Sequence, residues 1–385
     1  MIKNKAFKFR IYPNKKQEEF LRQCMGCSRF VFNHFLSLSK ETYEKEHKVL
    51  RYNDYAKMLN DLKIEYPFLK DVDSISLQQS LRHLDDSFKN SFKYKNGLPQ
   101  FKKKSNHNDS YTTMNVNNNM TVIDDKHLKL PKLGIVKAKI HRVIPDDYKL
   151  KSATLSETPS GKYFVSLLYE YVEEKKEYKI DENKILGLDY SMKELFVTDD
   201  MIKVNDNYLR LYRKSEERLH FLQKALCRRQ RPNHKKGIQS SKRYEKLRKQ
   251  IATLFEHIKN IRLDYYNKLS KEITNLYDIV VVEDINMQEM AVLSEYNSKA
   301  TYDNGFGIFR RLLKTKLEEK GKEYIVVGKY YASSKRCHVC GYKNDTLTID
   351  QRVWECPNCH KVHNRDINAS INLKQEGLRI YKGNK

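Results

Sequence analysis

Four cysteines in the last quarter of the chain have the spacing of metal ligands. Two Cys-x-x-Cys pairs are separated by 15 residues and consist of Cys337, Cys340, Cys356 and Cys359. Each pair can present two thiolates on one side of a turn, and two pairs complete a tetrahedron around zinc. A redox role needs only one pair, and a core role explains neither the spacing nor the polarity. The pattern predicts one structural Zn²⁺, with His338, His360 and His363 as possible substitute ligands.

A further Cys-x-x-Cys pair, Cys24 and Cys27, lies inside an apolar stripe of helical spacing. No second pair stands nearby, so the pattern favours two buried core cysteines over a metal site. Cys227 receives no assignment from its surroundings.

Three acidic residues follow or open elements that are otherwise apolar. Asp189 ends the apolar run from Ile185, Glu283 ends another apolar run and is followed by Asp284, and Asp366 opens the terminal helix. Carboxylate oxygens are the ligands that Mg²⁺ prefers, and two such ions can activate a water and stabilise a leaving oxygen. The set therefore indicates metal-dependent cleavage of a phosphodiester.

Each of these acids also has a structural interpretation. Asp189 could be a turn residue, and Asp366 could cap a helix. Successive residues of a strand face opposite sides, so only one of Glu283 and Asp284 can join the cluster. Periodicity does not say which one.

The elements that position these residues follow from hydrophobic spacing. In the first half we expect a strand ending at Pro13, helices over 15–95, a polar loop over 96–122, strands near 128–140, 150–156 and 162–172, and a linker over 172–184. In the second half we expect strands at 185–189, 194–197, 279–283 and 324–327, long helices at 206–230 and 241–276 that pack as a hairpin, a polar loop over 291–305, a helix at 306–320 and a terminal helix.

Charge points to a polyanionic partner. The 385 residues carry a net charge of +25, and basic residues cluster at Lys102, Lys103 and Lys104 and at Arg228, Arg229 and Arg231. A charge of this size favours nucleic acid over a small acidic metabolite, although any single lysine could simply be solvated. No membrane span or secretory signal is recognisable, and the cysteine usage suggests a reducing compartment. We therefore expect a cytoplasmic protein that associates with the nucleoid when bound to DNA.

The combination of motifs resembles the TnpB family, RNA-guided RuvC-type nucleases encoded by insertion sequences and related to type V CRISPR effectors. The resemblance runs nearly end to end. It rests on the opening segment 6–17, the stretches 77–81 and 97–102, Gly187-Leu188-Asp189, the segment 282–286, and the motifs SSKRCHVCG (333–341), CPNCH (356–360) and NRDINASINL (364–373).

The resemblance implies a multidomain fold of mixed α+β and α/β character. A β-barrel wedge domain (1–15 and 96–175) would be interrupted by a helical recognition domain (16–95). An RNase H-like RuvC core (176–336) would contain the inserted helical hairpin, followed by a zinc-binding module (337–360) and a terminal RuvC helix with the tail (361–385).

The resemblance also implies the site and its partners. It assigns catalysis and two Mg²⁺ ions to Asp189, Glu283 and Asp366, which selects Glu283 over Asp284. The partners would be a guide RNA from the transposon end and duplex DNA beside a short adjacent motif, bound by a monomer or dimer. The protein would cleave that DNA and support maintenance of the insertion sequence. Tyr190-Ser191-Met192 departs from the small residues common after the first acid and could slow turnover.

Two other functions remain open at this point. A catalytically silent RNA-guided repressor is disfavoured because all three acids are present, and a DDE transposase is disfavoured by the zinc module and the motif order.

Three polar residues of one predicted helix are candidates for reading the adjacent motif. Gln78, Gln79 and Arg82 lie on the polar side of a predicted helix, and Gln can contact adenine with two hydrogen bonds. A solvated helix face is the alternative.

Overall fold

The computed structural model describes residues 2–95, 97–106, 109–173, 178–191, 195–199, 206–232, 237–286, 305–348 and 351–383. The chain divides into two compact units. The first consists of Met1–Glu174 and Ala225–Thr253, and the second of Lys175–Lys224 and Leu254–Lys385.

A seven-stranded sheet organises the first unit. The long β1 alternates buried and exposed side chains and pairs antiparallel with β7 from Ile2↔Val172 to Ile11↔Tyr163. The order is β2-β6-β7-β1-β5-β4-β3. The strands are β1 (Ile2–Tyr12), β2 (Ser110–Met114), β3 (Thr121–Val122), β4 (His127–Leu130), β5 (Gly134–Lys139), β6 (Lys149–Glu157) and β7 (Tyr163–Val172).

The structure corrects two expectations in this unit. The β-barrel is wrong as a closed form, because in the described residues the outer strands β2 and β3 share no ladder and the sheet stays open. The expected loop over 96–122 contains β2, whose five residues pair with β6. Its polar sequence concealed a strand in which Tyr111 and Thr113 face the interior.

Three helices pack with this sheet: α1 (Lys15–Glu46), α2 (Tyr52–Glu65) and α3 (Ser74–Tyr94). Asn14 and Gln17 form a capping box that fixes the start of α1, since each side chain accepts from an otherwise unpaired backbone N–H. Apolar residues at helical spacing on α1 and α3 are buried in one core with the sheet. Cys24 and Cys27 belong to that core.

The second unit contains a four-stranded sheet of order β11-β10-β8-β9. Its central strands β8 and β10 are parallel, β11 is parallel to β10, and β9 is antiparallel to β8. The strands are β8 (Ile185–Ser191), β9 (Leu195–Val197), β10 (Ile279–Glu283) and β11 (Glu323–Val327). A separate ribbon joins β12 (Val353–Glu355) to β13 (Val362–Asn364).

Alternate residues of this sheet face two different sets of helices. Leu186, Leu188, Val280 and Val282 pack with side chains of α5 (Lys242–Leu276) and α6 (Phe306–Glu319). Ile185, Ile279 and Val281 pack on the other side with α7 (Arg365–Gly383). Helix α4 (Asp206–Cys227) contacts α5 through a 3.0 Å hydrogen bond from Arg262 to the Tyr212 hydroxyl.

Two glycines allow α7 to lie directly on the sheet. A Cβ at Gly187 would lie 2.1 Å from the carbonyl oxygen of Ser370, and a Cβ at Gly377 would lie 2.2 Å from a methyl of Val281. The helix is therefore closer to β8 and β10 than any larger residue at these positions permits.

None of the helices in the described part of the chain has the length and apolar character needed to span a membrane. The expected polar loop over 291–305 lies outside the described residues except at Gly305.

Candidate active site and metal centre

Asp189 and Glu283 lie on the face of the sheet that α7 covers. In β8 the residues facing α7 alternate from Ile185 through Gly187 to Asp189, and in β10 they alternate from Ile279 through Val281 to Glu283. The two strands are parallel, so both carboxylates lie toward the same edge. Period-two alternation thus places them on a common face.

The third acid enters from the helix itself. Asp366 occupies the first turn of α7, and the side chain of Asn364 accepts from the backbone N–H of Asp366 at 3.0 Å. Asn364, not Asp366, therefore makes the capping contact, which argues against the capping interpretation of Asp366. A carboxylate in a first helical turn also interacts favourably with the helix dipole.

Asp189 interacts electrostatically with both of the other acids. Burial, together with repulsion from Glu283 and then Asp366, raises the pKa of Asp189 to about 8. The positive charges of Arg365 and Arg352 oppose it. Like charges gathered around a half-buried carboxyl are typical of a site that holds a cation.

The structure separates Glu283 from its neighbour Asp284. Glu283 is half-buried and accepts a hydrogen bond from the Ser333 hydroxyl at 3.1 Å, whereas Asp284 is exposed. Burial raises the pKa of Glu283, and the bond from Ser333 opposes the rise. Glu283 is therefore the half-buried member of the pair, and its charge is one that raises the pKa of Asp189.

Arg352 contacts the cluster from outside the sheet. Its Nη1 atom donates to both carboxylate oxygens of Asp366 at 2.9 Å. Arg352 precedes β12 and remains well exposed, so this guanidinium pairs with a partly exposed acid from the solvent side.

The four predicted cysteines converge on one point. Their sulfur atoms all lie within 4.8 Å of one another. The Cys337–Cys359 and Cys340–Cys356 sulfur pairs are each 3.6 Å apart. A tetrahedron of thiolates about 2.3 Å from zinc has edges of about 3.8 Å. The donor set and its dimensions fit a closed structural zinc site.

The three histidines considered as substitute ligands have different surroundings. His363 is buried, with its Nε2 atom 3.1 Å from the sulfur of Cys337. The Nδ1 atom of His338 lies 2.9 Å from the side-chain oxygen of Asn368, and His360 pairs with Glu355 at the surface. Of these three histidines, His363 is thus the one that contacts a cysteine of the tetrad, through the sulfur of Cys337.

Cys24 and Cys27 lie in an apolar environment. Both are buried, and this burial raises their pKa values to about 12 and about 11 respectively. Within the described residues no third metal-ligating side chain joins them. The core interpretation of this pair agrees with the structure. Cys227 is an exposed free thiol, and Arg231 donates to its sulfur at 3.5 Å.

Gln78, Gln79 and Arg82 line one wall of a cleft in the first unit. The cleft has a volume of about 1470 Å³, and its other wall is formed by the ends of the sheet strands. The guanidinium of Arg82 stacks 4.3 Å from the ring centre of Tyr52, which fixes its direction. The opposite wall includes Asn115, Asn117, Asn118, His141, Arg142, Lys149 and Lys151.

The named residues of both basic runs are exposed, Lys102 included. The ammonium of Lys102 lies 4.0 Å above the ring of Phe32, and burial lowers its pKa. Lys103 and Lys104 are exposed. Arg228, Arg229 and Arg231 are exposed after α4, while residues 233–236 of the same basic tip lie outside the described residues.

Sequence reasoning missed three residues that contact the two centres. Ser333 belongs to a recognised motif but was assigned no role. Arg352 lies in an irregular segment with no periodic signal. His363 was considered only as a substitute ligand, although its pairing with Trp354 across β12 and β13 gives it a position beside Cys337. A side chain in a short ribbon offers no pattern from which such a contact could be read.

Three family models match successive parts of the chain. A helix-turn-helix domain of OrfB proteins from IS605-type elements matches residues 1–48. A probable transposase of the same OrfB type matches residues 166–293. The Cas12f1-like TNB domain matches residues 306–373, which include the four cysteines and Asp366.

Full-length relatives carry consistent names. A Streptomyces pristinaespiralis protein, provisionally named an RNA-guided DNA endonuclease, is 28% identical over 97% of this chain and 89% of its own length. InsQ of Escherichia coli K12, provisionally given the same description, is 27% identical over 99% of this chain and 94% of its own length.

A solved structure shares the fold. The protein of a Cas12f1–sgRNA–target DNA complex superposes with a TM-score of 0.58 at 14% identity, over 97% of this chain and 99% of that one.

Proposed function

The chain belongs to the TnpB family of insertion-sequence proteins, and on that premise we propose that it is an RNA-guided DNA endonuclease. A guide RNA derived from the transposon end would direct it to duplex DNA beside a short adjacent motif. Cleavage there would support maintenance of the insertion sequence. The proposed place of action is the bacterial cytoplasm, at the nucleoid.

The observation that carries this proposal is the convergence of Asp189, Glu283 and Asp366. Two of them continue the sheet face covered by α7, and the third opens α7. Their mutual repulsion raises the pKa of Asp189 in addition to the effect of burial. Such a cluster is costly unless a cation neutralises it, and we take it as the RuvC-type nuclease centre that the family membership implies.

The cluster fits Mg²⁺ by the chemistry of its donors, which are all carboxylate oxygens. Asp189, Glu283 and Asp366 would hold the ions, two in number. When bound, the ions would activate a water and stabilise the leaving oxygen of the phosphodiester. Arg352 and Arg365 supply positive charge beside the acids, where they can attract the phosphate of a DNA strand.

The cysteine tetrad would hold one structural Zn²⁺. Four thiolates close a tetrahedral site and leave no position for substrate. The side chain of Asn358 hydrogen-bonds to Cys340 and lowers its pKa to about 6, while burial and the neighbouring cysteines raise the pKa of Cys359 to about 12, so without metal the protons are shared unevenly among the four thiols. The zinc therefore serves the fold, and catalysis stays with the carboxylates.

The proposed domain boundaries follow the arrangement that the family resemblance implies. We assign residues 1–15 and 96–175 to the wedge domain, 16–95 to the recognition domain, 176–336 to the RuvC core, 337–360 to the zinc module and 361–385 to the terminal helix and tail. In the first unit, Gln78, Gln79 and Arg82 would read the adjacent motif from the cleft that they line. The exposed lysines and arginines of the basic runs would bind RNA or DNA phosphates.

Alanine substitutions test the carboxylate assignment. Asp189→Ala, Glu283→Ala and Asp366→Ala should each abolish DNA cleavage while guide and target binding persist, because affinity comes mainly from phosphate contacts elsewhere. Asp284→Ala is the matched control, since this acid is exposed beside Glu283, and it should retain most of the activity. Near wild-type cutting by two or more of the three variants would contradict the assignment.

A further inference from the structure

Ser333 contacts one of the three acids directly. Its buried hydroxyl donates to Oε1 of Glu283 at 3.1 Å. An ionised carboxylate only accepts hydrogen bonds, so this contact favours the charged form and restricts rotation of the carboxylate. It opposes the effect of burial, which raises the pKa of Glu283.

The backbone of Ser333 is in turn held by α7. Asn372 donates from Nδ2 to the carbonyl of Ser333 at 2.8 Å and to the carbonyl of Arg336 at 2.5 Å. Asn372 is buried and lies on the same helix as Asp366. The helix that carries one acid therefore also fixes the residue that holds another.

A second asparagine of α7 secures the other end of this segment. Asn368 donates from Nδ2 to the carbonyl of Arg336 at 2.7 Å, and its Oδ1 accepts from the backbone N–H of His338 at 3.1 Å. Cys337 lies between these two residues. These hydrogen bonds thus hold the segment 333–338, which contains both Ser333 and Cys337, along α7.

We propose that Ser333 is a positioning residue for the carboxylate centre, which orients Glu283 for a divalent cation and ties that orientation to the placement of α7. The inference rests on the proposed function. Mutation of a residue that hydrogen-bonds to a metal ligand typically lowers metal affinity or activity by roughly 10–100-fold. If the Ser333 hydroxyl only provided a hydrogen bond to a buried polar group, its removal would not weaken cation binding.

Four variants of the zinc-loaded chain test this role. Ser333→Ala removes the hydroxyl, and Ser333→Thr keeps it. Tyr331→Phe is the matched control, because the Tyr331 hydroxyl donates to the backbone oxygen of Asn372 at 3.3 Å and this bond involves none of the three acids. Binding of Mn²⁺, a spectroscopic probe for the Mg²⁺ site, is measured by electron paramagnetic resonance, with Glu283→Gln defining the carboxylate-dependent part. Thermal unfolding is recorded for every variant.

We expect Ser333→Ala to weaken carboxylate-dependent Mn²⁺ binding about 10-fold, with Ser333→Thr and Tyr331→Phe within about twofold of wild type. Wild-type Mn²⁺ affinity in Ser333→Ala would overturn the proposal. Equal losses of affinity and of unfolding temperature in Ser333→Ala and Tyr331→Phe would also overturn it, since they would show a general structural effect. If the wild-type protein shows no Mn²⁺ binding that depends on Glu283, the proposed nuclease centre is refuted as well. This outcome distinguishes failure of the proposed function from failure of the Ser333 proposal alone.

Discussion

At the scale of single residues, the protonation of Asp189 couples the site to folding. Burial and the neighbouring acids raise its pKa to about 8 from an ordinary value of 3.8. Between these values the folded, metal-free chain holds a proton that the unfolded chain has released. The free energy of unfolding therefore falls as pH rises through this interval, and levels off above it.

Asp189→Asn removes this dependence. We expect the metal-free variant to gain stability over wild type as pH rises from 5 to 8, with a slope on the order of 1 kcal/mol per pH unit at most. Urea unfolding at several pH values in the presence of a chelator measures the difference. A constant difference between variant and wild type would contradict the raised pKa. Added Mg²⁺ should stabilise the wild type at pH 8 and leave the variant largely unchanged.

Recognition of the adjacent motif is also argued at this scale. Gln79 lines the cleft beside Arg82, and a bidentate contact from Gln to adenine contributes ~1–3 kcal/mol of discrimination. Gln79→Ala should therefore relax or weaken the motif preference while guide binding stays unchanged. A plasmid-depletion assay compares the preferred motifs of variant and wild type. The same motif at the same stringency would remove Gln79 from the reader.

Individual site residues differ in how far the sequence reveals them. The cysteines are set by spacing alone, and Asp189 is marked by its place after an apolar run. Glu283 could not be separated from Asp284 without the family resemblance, because alternation defines two strand faces but does not say which one carries the site. The packing of Val281 against α7 identifies the face that Glu283 shares, and such packing is a tertiary contact that the local sequence does not reveal.

At the scale of elements, α7 joins the two centres. It covers β8 and β10, carries Asp366 in its first turn and secures the segment that precedes Cys337. Its close approach depends on Gly187 and Gly377. Displacement of α7 would therefore disturb the carboxylates and the cysteine tetrad together.

Gly377→Ala tests this dependence. The new Cβ would overlap both methyls of Val281, and overpacking of this kind costs about 1–3 kcal/mol. The unfolding temperature should fall and cleavage should slow. Gly307→Ala on α6 is the matched control, because a Cβ there meets nothing within 4 Å and alanine favours a helix by about 0.5–1 kcal/mol. Equal thermal stability of the two variants would contradict the close packing of α7.

Elements were predictable where hydrophobic spacing is strong. The long helices near 206–230 and 241–276 occur as α4 and α5, and the apolar strands occur as β8 and β10. Strand β2 was missed because its Ser, Tyr and Thr residues resemble the polar loop around it. The sequence could not show whether the first sheet is open or closes into a barrel, because closure depends on whether its outer strands pair.

At the scale of the whole molecule, the zinc module and the nuclease centre should fail together. One zinc atom per chain is expected by elemental analysis. Cys337→Ser or Cys356→Ser should lower stability or solubility and reduce cleavage, because the segment from Ser333 to Cys337 is fixed along α7. Cys227→Ser is the control, since this thiol is exposed and outside the tetrad. A soluble, active preparation without zinc would disprove the metal assignment.

The central claim is that a bound RNA chooses the DNA that this chain cuts. The most direct measurement purifies the chain with its RNA, sequences that RNA, and incubates the complex with Mg²⁺ and a plasmid library carrying a matching target beside randomised flanking bases. We predict cleavage of matched plasmids with one enriched flanking motif; this cleavage is redirected when the guide is changed and lost with Asp189→Ala. Cleavage that ignores the guide sequence, strand joining in place of cleavage, or binding without cleavage by the wild-type complex would contradict it.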